Sequence, residues 1–185
     1  ELLSITSKRK IFHMNTITKS FRFNPMNFGP IVLLYTLSVT EMDTEFSNLF
    51  EILSFKLQLI IIYYWVIRQQ SIMPNFHIFF AGIINDVIVG LPLGTSALSY
   101  LMVSFVASYV KSVTVKVTLM TDWFTFIFAV FFSNLTYFIL LNNFSGILVT
   151  YTDIFYNSFF TILFYPVFWV LFNLYLGVIT PRSHD

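Results

Sequence analysis

The chain contains no cysteine, which removes disulfides, thiolate metal sites and cysteine nucleophiles together. It is also poor in charge: 10% of its residues are Asp, Glu, Lys or Arg, where soluble domains average about 25%. Histidine is scarce, and His13, His77 and His184 are scattered, none with a second ligand at metal-binding spacing. Neither a metal nor a cofactor is expected. Gly-x-Ser-x-Gly, the phosphate-cradling glycine loop, His-Glu-x-x-His and paired intramembrane acids are all missing, so the sequence offers no catalytic set and reads as a non-enzyme. A net charge of +1 gives no reason to expect an acidic partner, and nucleic acid is not among the expected ones.

What is present is apolar. Of the 185 residues, 57% are hydrophobic and 20% aromatic, and the mean hydropathy is +0.78. That balance belongs to an integral membrane protein in contact with lipid, and at this length to a single domain. No apolar run followed by a small-residue cleavage site opens the sequence, so no cleaved signal peptide is expected. The first methionine, Met14, follows the basic run Lys8-Arg9-Lys10, and residues 1–13 read as an extension of the true start.

Punctuation divides the apolar sequence into six segments. The first runs from Asn27 to Thr40 and the second from Ile52 to Ile67, ending at Arg68. The third opens on Pro74, a suitable first helical residue, and stops at Gly90. The fourth runs from Thr95, expected as its N-cap, to Val110. The fifth covers Trp123 to Leu141, with Thr121 or Asp122 as the cap. The sixth runs from Ile154 to Ile179 and holds Pro166, which predicts a kink. The fold class expected is an all-α, six-transmembrane-helix bundle: a basic segment 1–24, a membrane domain 25–180 and a tail 181–185.

Charge supports that division. With the N-terminus in the cytoplasm, Lys8, Arg9, Lys10, Lys19, Arg22, Arg68, Lys111, Lys116 and Arg182 all fall inside, and Lys56 alone falls outside. The acidic stretch EMDTEF, Glu51 and Asp153 face out. This is the asymmetry of the positive-inside rule, and it places both termini in the cytoplasm.

Within the third segment, Asp86 stands among Ile83, Ile84, Val87, Ile88 and Val89, where a carboxylate is costly. Gly82, Asp86 and Gly90 are four apart and share one helix stripe, and the small residues invite a close neighbour. Pro74 to Gly90 spans roughly 25 Å at ~1.5 Å per residue, short of a ~30 Å hydrocarbon core. The turn of Gly90, Pro92, Leu93 and Gly94 is therefore expected just inside the outer face, with glycines supplying positive φ. Asp86 is expected to accept hydrogen bonds from the backbone amides there, and an asparagine, keeping one acceptor, to substitute well. Partner binding and an ion relay are the alternatives for Asp86. Tyr63, Tyr64, Trp65 and Trp123, with Arg68, read as anchors at the membrane interface. His77 reads as a solvated interfacial residue, and Asn134 and Asn173 as interhelical hydrogen-bond partners.

The stretch YYWVIRQQSIMPNFHIFFAGIINDVIVGLPLGTSAL resembles the rod shape-determining protein MreD family. That family pairs an aromatic span ending in Trp and a basic residue with a span of the form F-x-x-G-x-x-x-D-x-x-x-G-x-P-L-G. The matching positions are Tyr63, Tyr64, Trp65, Arg68, Pro74, Phe79, Gly82, Asp86, Gly90, Pro92, Leu93 and Gly94. YPVFW at Tyr165–Trp169 is similar to the family's last helix. Departures are Gln69 and Phe55-Lys56, where the family often has proline. The resemblance implies a non-catalytic scaffold of the bacterial inner membrane. Its implied partners are an MreC-like protein, an MreB-like actin homologue, and the RodA glycosyltransferase with the elongation transpeptidase. The family is also similar in architecture to the substrate-binding subunits of energy-coupling vitamin transporters, which supplies a rival reading. Against the rival, the first segment carries bulky residues from Pro30 to Tyr35 in place of a small-x-x-x-small docking face.

Overall fold

The computed structural model describes residues 28–40, 56–114, 118–144 and 151–179. The basic segment 1–24, the acidic stretch EMDTEF, Glu51, Lys116 and the tail 181–185 lie outside the described residues. Six helices and no strand are present among those described: α1 (Gly29–Thr40), α2 (Leu57–Gln69), α3 (Asn75–Val89), α4 (Thr95–Val113), α5 (Leu119–Phe144) and α6 (Tyr151–Ile179). Each falls on one of the six apolar segments. Three contain stretches long and apolar enough to cross a membrane: Thr95–Val113, Leu119–Asn143 and Ile154–Gly177. The spans Gly29–Val39 and Asn75–Val89 are apolar but shorter.

Helix ends differ from the sequence expectation for identifiable reasons. Pro74 is extended at ψ 149° and stands as the N-cap of α3, one residue before the position expected. α5 begins four residues earlier than expected, because the Thr118 hydroxyl accepts the Thr121 N–H at 3.3 Å and serves as the cap. Asp122 is thereby moved inside the helix. Pro166 lies within α6.

The core is organised around α2. Every residue from Gln58 to Ile67 is buried, on all sides of the helix, which is how a helix at the centre of a bundle must look. α1, α4, α5 and α6 all pack against it. Its sequence, LQLIIIYYWVIRQ, has no polar face to turn outwards before Arg68. The remaining helices are two-sided. On α5, Phe126, Ala129 and Val130 are buried, while Phe124, Phe128 and Phe131 are about three-fifths exposed. An apolar outer surface of this extent is too large for water and suits lipid.

Cross-helix bonds define two ends. At one, Gln70 Nε2 donates to Ser108 Oγ, and Ser104 Oγ donates to Asn75 Oδ1. At the other, Lys56 N donates to Thr161 Oγ1 and Asn85 Nδ2 to Ser96 Oγ. From α2 onward, successive helices therefore run in alternating directions.

Candidate functional site

The Asp86 turn is assembled from local chemistry. α3 stops where Gly90 takes φ 74°, and the N–H groups of Gly90 and Leu91 both turn back to the Asp86 carbonyl. Gly94 takes φ 101°, a value that a residue with a Cβ adopts only under strain. Between them, Pro92 O accepts from Thr95 N and, at 2.8 Å, from Thr95 Oγ1. α4 then begins with its first N–H groups unpaired along its own axis, as every helix does.

Asp86 meets that demand. Its Oδ2 accepts from Gly94 N and its Oδ1 from Ser96 N, each at 2.7 Å, and the residue is completely buried. Short bonds from backbone amides to a carboxylate at a helix N-terminus are favoured by both charge assistance and the helix dipole. The cap of α4 is thus a residue of the preceding helix. Thr95, expected as the N-cap, is instead the first helical residue, and Gly94 occupies the cap position with no side chain to offer. Because both carboxylate oxygens are engaged, an asparagine would present its NH2 to one backbone donor. The expectation that asparagine substitutes well is corrected on that ground.

Gly82 has a separate role one turn further down α3. A Cβ built there would lie 2.3 Å from Ala97 Cα and 2.6 Å from Ala97 N, so α3 and α4 touch backbone to backbone. Ala97 is itself fully buried at this contact. Small residues bring the two helices close enough for the Asp86 side chain to reach Ser96 N. The apex faces outwards: Leu93 is 71% exposed.

The aromatic residues expected at the membrane interface lie in the core. Tyr63, Tyr64 and Trp65 are at most 1% exposed. Tyr63 Oη and Thr125 Oγ1 share a 2.5 Å hydrogen bond, and Tyr64 Oη donates to Asn173 Oδ1 at 2.8 Å. Trp65 packs against Phe172 and Tyr175. Their phenols and rings serve helix–helix packing because α2 is central and turns no face to the outside. Trp123 is partly buried and donates its Nε1 to Ile162 O at 3.0 Å, joining α5 to α6. His77 accepts or donates at Nδ1 with Tyr35 Oη, 3.2 Å away, and packs edge-on to that ring, so it belongs to the α1–α3 contact. Asn134 donates to Ser158 Oγ at 2.7 Å, and Asn173 receives Tyr64, so both asparagines bridge helices as expected.

Arg68 is neither an anchor nor solitary. Its Nη2 lies 3.3 Å from Asp122 Oδ2, and Trp169 Nε1 donates to the same oxygen at 2.9 Å. The guanidinium carbon also sits 5.4 Å from the Trp169 ring centroid and 5.5 Å from that of Tyr64, within cation–π range. Sequence reasoning missed this cluster by assigning Asp122 to a cap. A signal was present: an acid opening one apolar segment and a base closing another, both at the cytoplasmic side of the expected topology. No group of three or more His, Cys, Asp or Glu among the described residues is placed to hold a metal ion.

No family model, curated protein or solved structure matches this chain.

Proposed function

We propose that the protein is a six-span, non-catalytic scaffold of the bacterial inner membrane, acting in cell elongation as MreD-like proteins do. The reading rests on the resemblance in Tyr63–Ala97 and on one observation: the landmarks of that pattern have physical work in this bundle. Gly82 permits the α3–α4 contact, Asp86 caps α4, Gly90 and Gly94 take positive φ, and Leu93 is left exposed at the apex. A rigid turn presenting an exposed leucine suits a protein that holds partners. The positive-inside charge pattern supports both termini in the cytoplasm. The partners on this reading are an MreC-like protein, an MreB-like actin homologue and the RodA–transpeptidase pair.

Depletion in a rod-shaped host tests it. The cells should round, lateral wall synthesis should disperse, and an MreC-like protein should co-purify. Normal rod growth would contradict the scaffold reading. The rival, a vitamin-type transporter subunit, draws support from a cavity of about 220 Å³ between the helices, with Asn85, Asn134 and Asn157 in its walls. Impaired vitamin uptake with unchanged cell shape would favour it.

A further inference from the structure

This cavity is lined from four helices, α3 to α6, and from the start of α2, with Lys56, Asn85, Ser96, Asn134, Tyr137 and Asn157 among its walls. Its volume of about 220 Å³ far exceeds the ~10–15 Å³ that one water needs. Asn85 is 4% exposed, and its Nδ2 is spent on Ser96 Oγ at 3.2 Å. Its Oδ1 is buried with no hydrogen-bond partner among the described residues. Turning the amide over exchanges the two ends but still leaves one of them to be satisfied. A buried amide in that state costs free energy until something bonds to it.

A second cavity adjoins the first. Its volume is about 410 Å³, it is walled by Phe131, Leu135, Phe138 and Phe155 of α5 and α6, and it shares Asn134 and Ile154 with the first. Phe131, Leu135 and Phe155 are exposed on the apolar outer surface. A chamber with asparagines in its walls thus lies beside an apolar groove on the bundle's flank. An amphiphile carries both chemistries along its length.

The chamber's walls narrow the headgroup. Asn85 offers its buried Oδ1, and Asn134, Asn157, Tyr100 and Tyr137 stand in the same walls. Hydroxyl groups match amides in both directions, and they satisfy Asn85 whichever way its amide is turned. Lys56 is the lone cation of the walls among the described residues and sits 4.1 Å over the Tyr137 ring, a poor substitute for the several cations a phosphate calls for. We infer that the two cavities form one site for a single-chain membrane amphiphile with a polyhydroxyl or sugar head, its head against Asn85 and its tail between α5 and α6. This site is independent of the scaffold reading and uses the same chamber that the vitamin-uptake rival would.

Photolabelling of the full chain in phosphatidylcholine nanodiscs tests the site. The probe is an alkyl maltoside with a diazirine in its tail; the control is a phosphatidylcholine carrying the same diazirine. Maltoside labels should concentrate on Phe131, Leu135 and Phe155, while the control spreads over the outer surface. Asn85→Leu removes the head's buried partner and should lower maltoside labelling there about tenfold. Leu135→Trp, at a surface position that does not threaten the fold, fills the groove and should lower it as well. Equal yields and positions for the two probes, or labelling unchanged in the Leu135→Trp variant, would overturn the inference.

Discussion

Arg68 of α2 and Asp122 of α5 meet at 3.3 Å, with Trp169 of α6 bonded to the same carboxylate oxygen. Three helices are tied at one point, and Asp122 is only 2% exposed. Removing the acid strands a cation and an indole N–H together. Asp122→Ala should therefore destabilise the bundle by about 3 kcal/mol, at the low end for a broken buried pair because Arg68 is 21% exposed. The paired replacement Arg68→Met with Asp122→Leu should recover part of that loss. Thermal melting in detergent checks both, and a double variant no better than Asp122→Ala alone would show that the pair does more than neutralise itself.

Gly82 and Gly177 make a matched comparison. A methyl at Gly82 collides with Ala97 backbone, whereas one at Gly177 meets nothing within 4 Å. Gly82→Ala should force α3 and α4 apart and cost about 1–3 kcal/mol. Gly177→Ala, within α6, should be neutral or stabilising by up to about 1 kcal/mol. Melting temperatures of the two variants decide it, and equal values would mean that the helices are not packed as tightly as 2.3 Å implies.

Tyr64 and Asn173 should be energetically coupled through their 2.8 Å bond. Tyr64→Phe and Asn173→Leu should each destabilise, while the double variant should lose less than their sum by about 0.5–1.5 kcal/mol. Strict additivity in the cycle would deny the bond. Trp65→Ala should cost about 3–5 kcal/mol as a core truncation, far above what loss of an exposed anchor would cost.

These cases mark how far the sequence could be read. The Asp86 turn was legible because its parts lie within ten residues, where helix period, glycine φ and the deficit of amides at a helix start all apply locally. Helix number was legible because apolar segments are separated by charge, proline and glycine. Tyr63, Tyr64 and Trp65 were misread because an aromatic run beside a basic residue looks the same at a membrane interface and in a bundle centre. What separates the two is whether other helices surround α2, and that depends on every other segment at once. Asp122 was misplaced for a related reason: its partner Arg68 is 54 residues away, and a nearby cap was the cheaper local assignment.

The proposed six-span topology predicts the side of each reporter fusion. Activity after Glu45 or Asn143 should report the outer side, and activity after Gln70 or Lys116 the cytoplasm. An outer-side signal at Gln70 would remove one span and invert every later helix.

The most direct measurement is the stability of two variants at Asp86, whose oxygens hold Gly94 N and Ser96 N at 2.7 Å. Asp86→Asn keeps one of these bonds and sets a donor against the other, for a loss of about 1–3 kcal/mol. Asp86→Leu leaves both amides unpaired and should lose more. Membrane abundance and melting temperature should therefore fall in the order wild type, Asn, Leu, and on the scaffold reading rod-shape complementation should fall alongside. A Leu variant that accumulates and melts like wild type, yet fails to restore shape, would contradict the capping role and assign Asp86 to a partner or an ion.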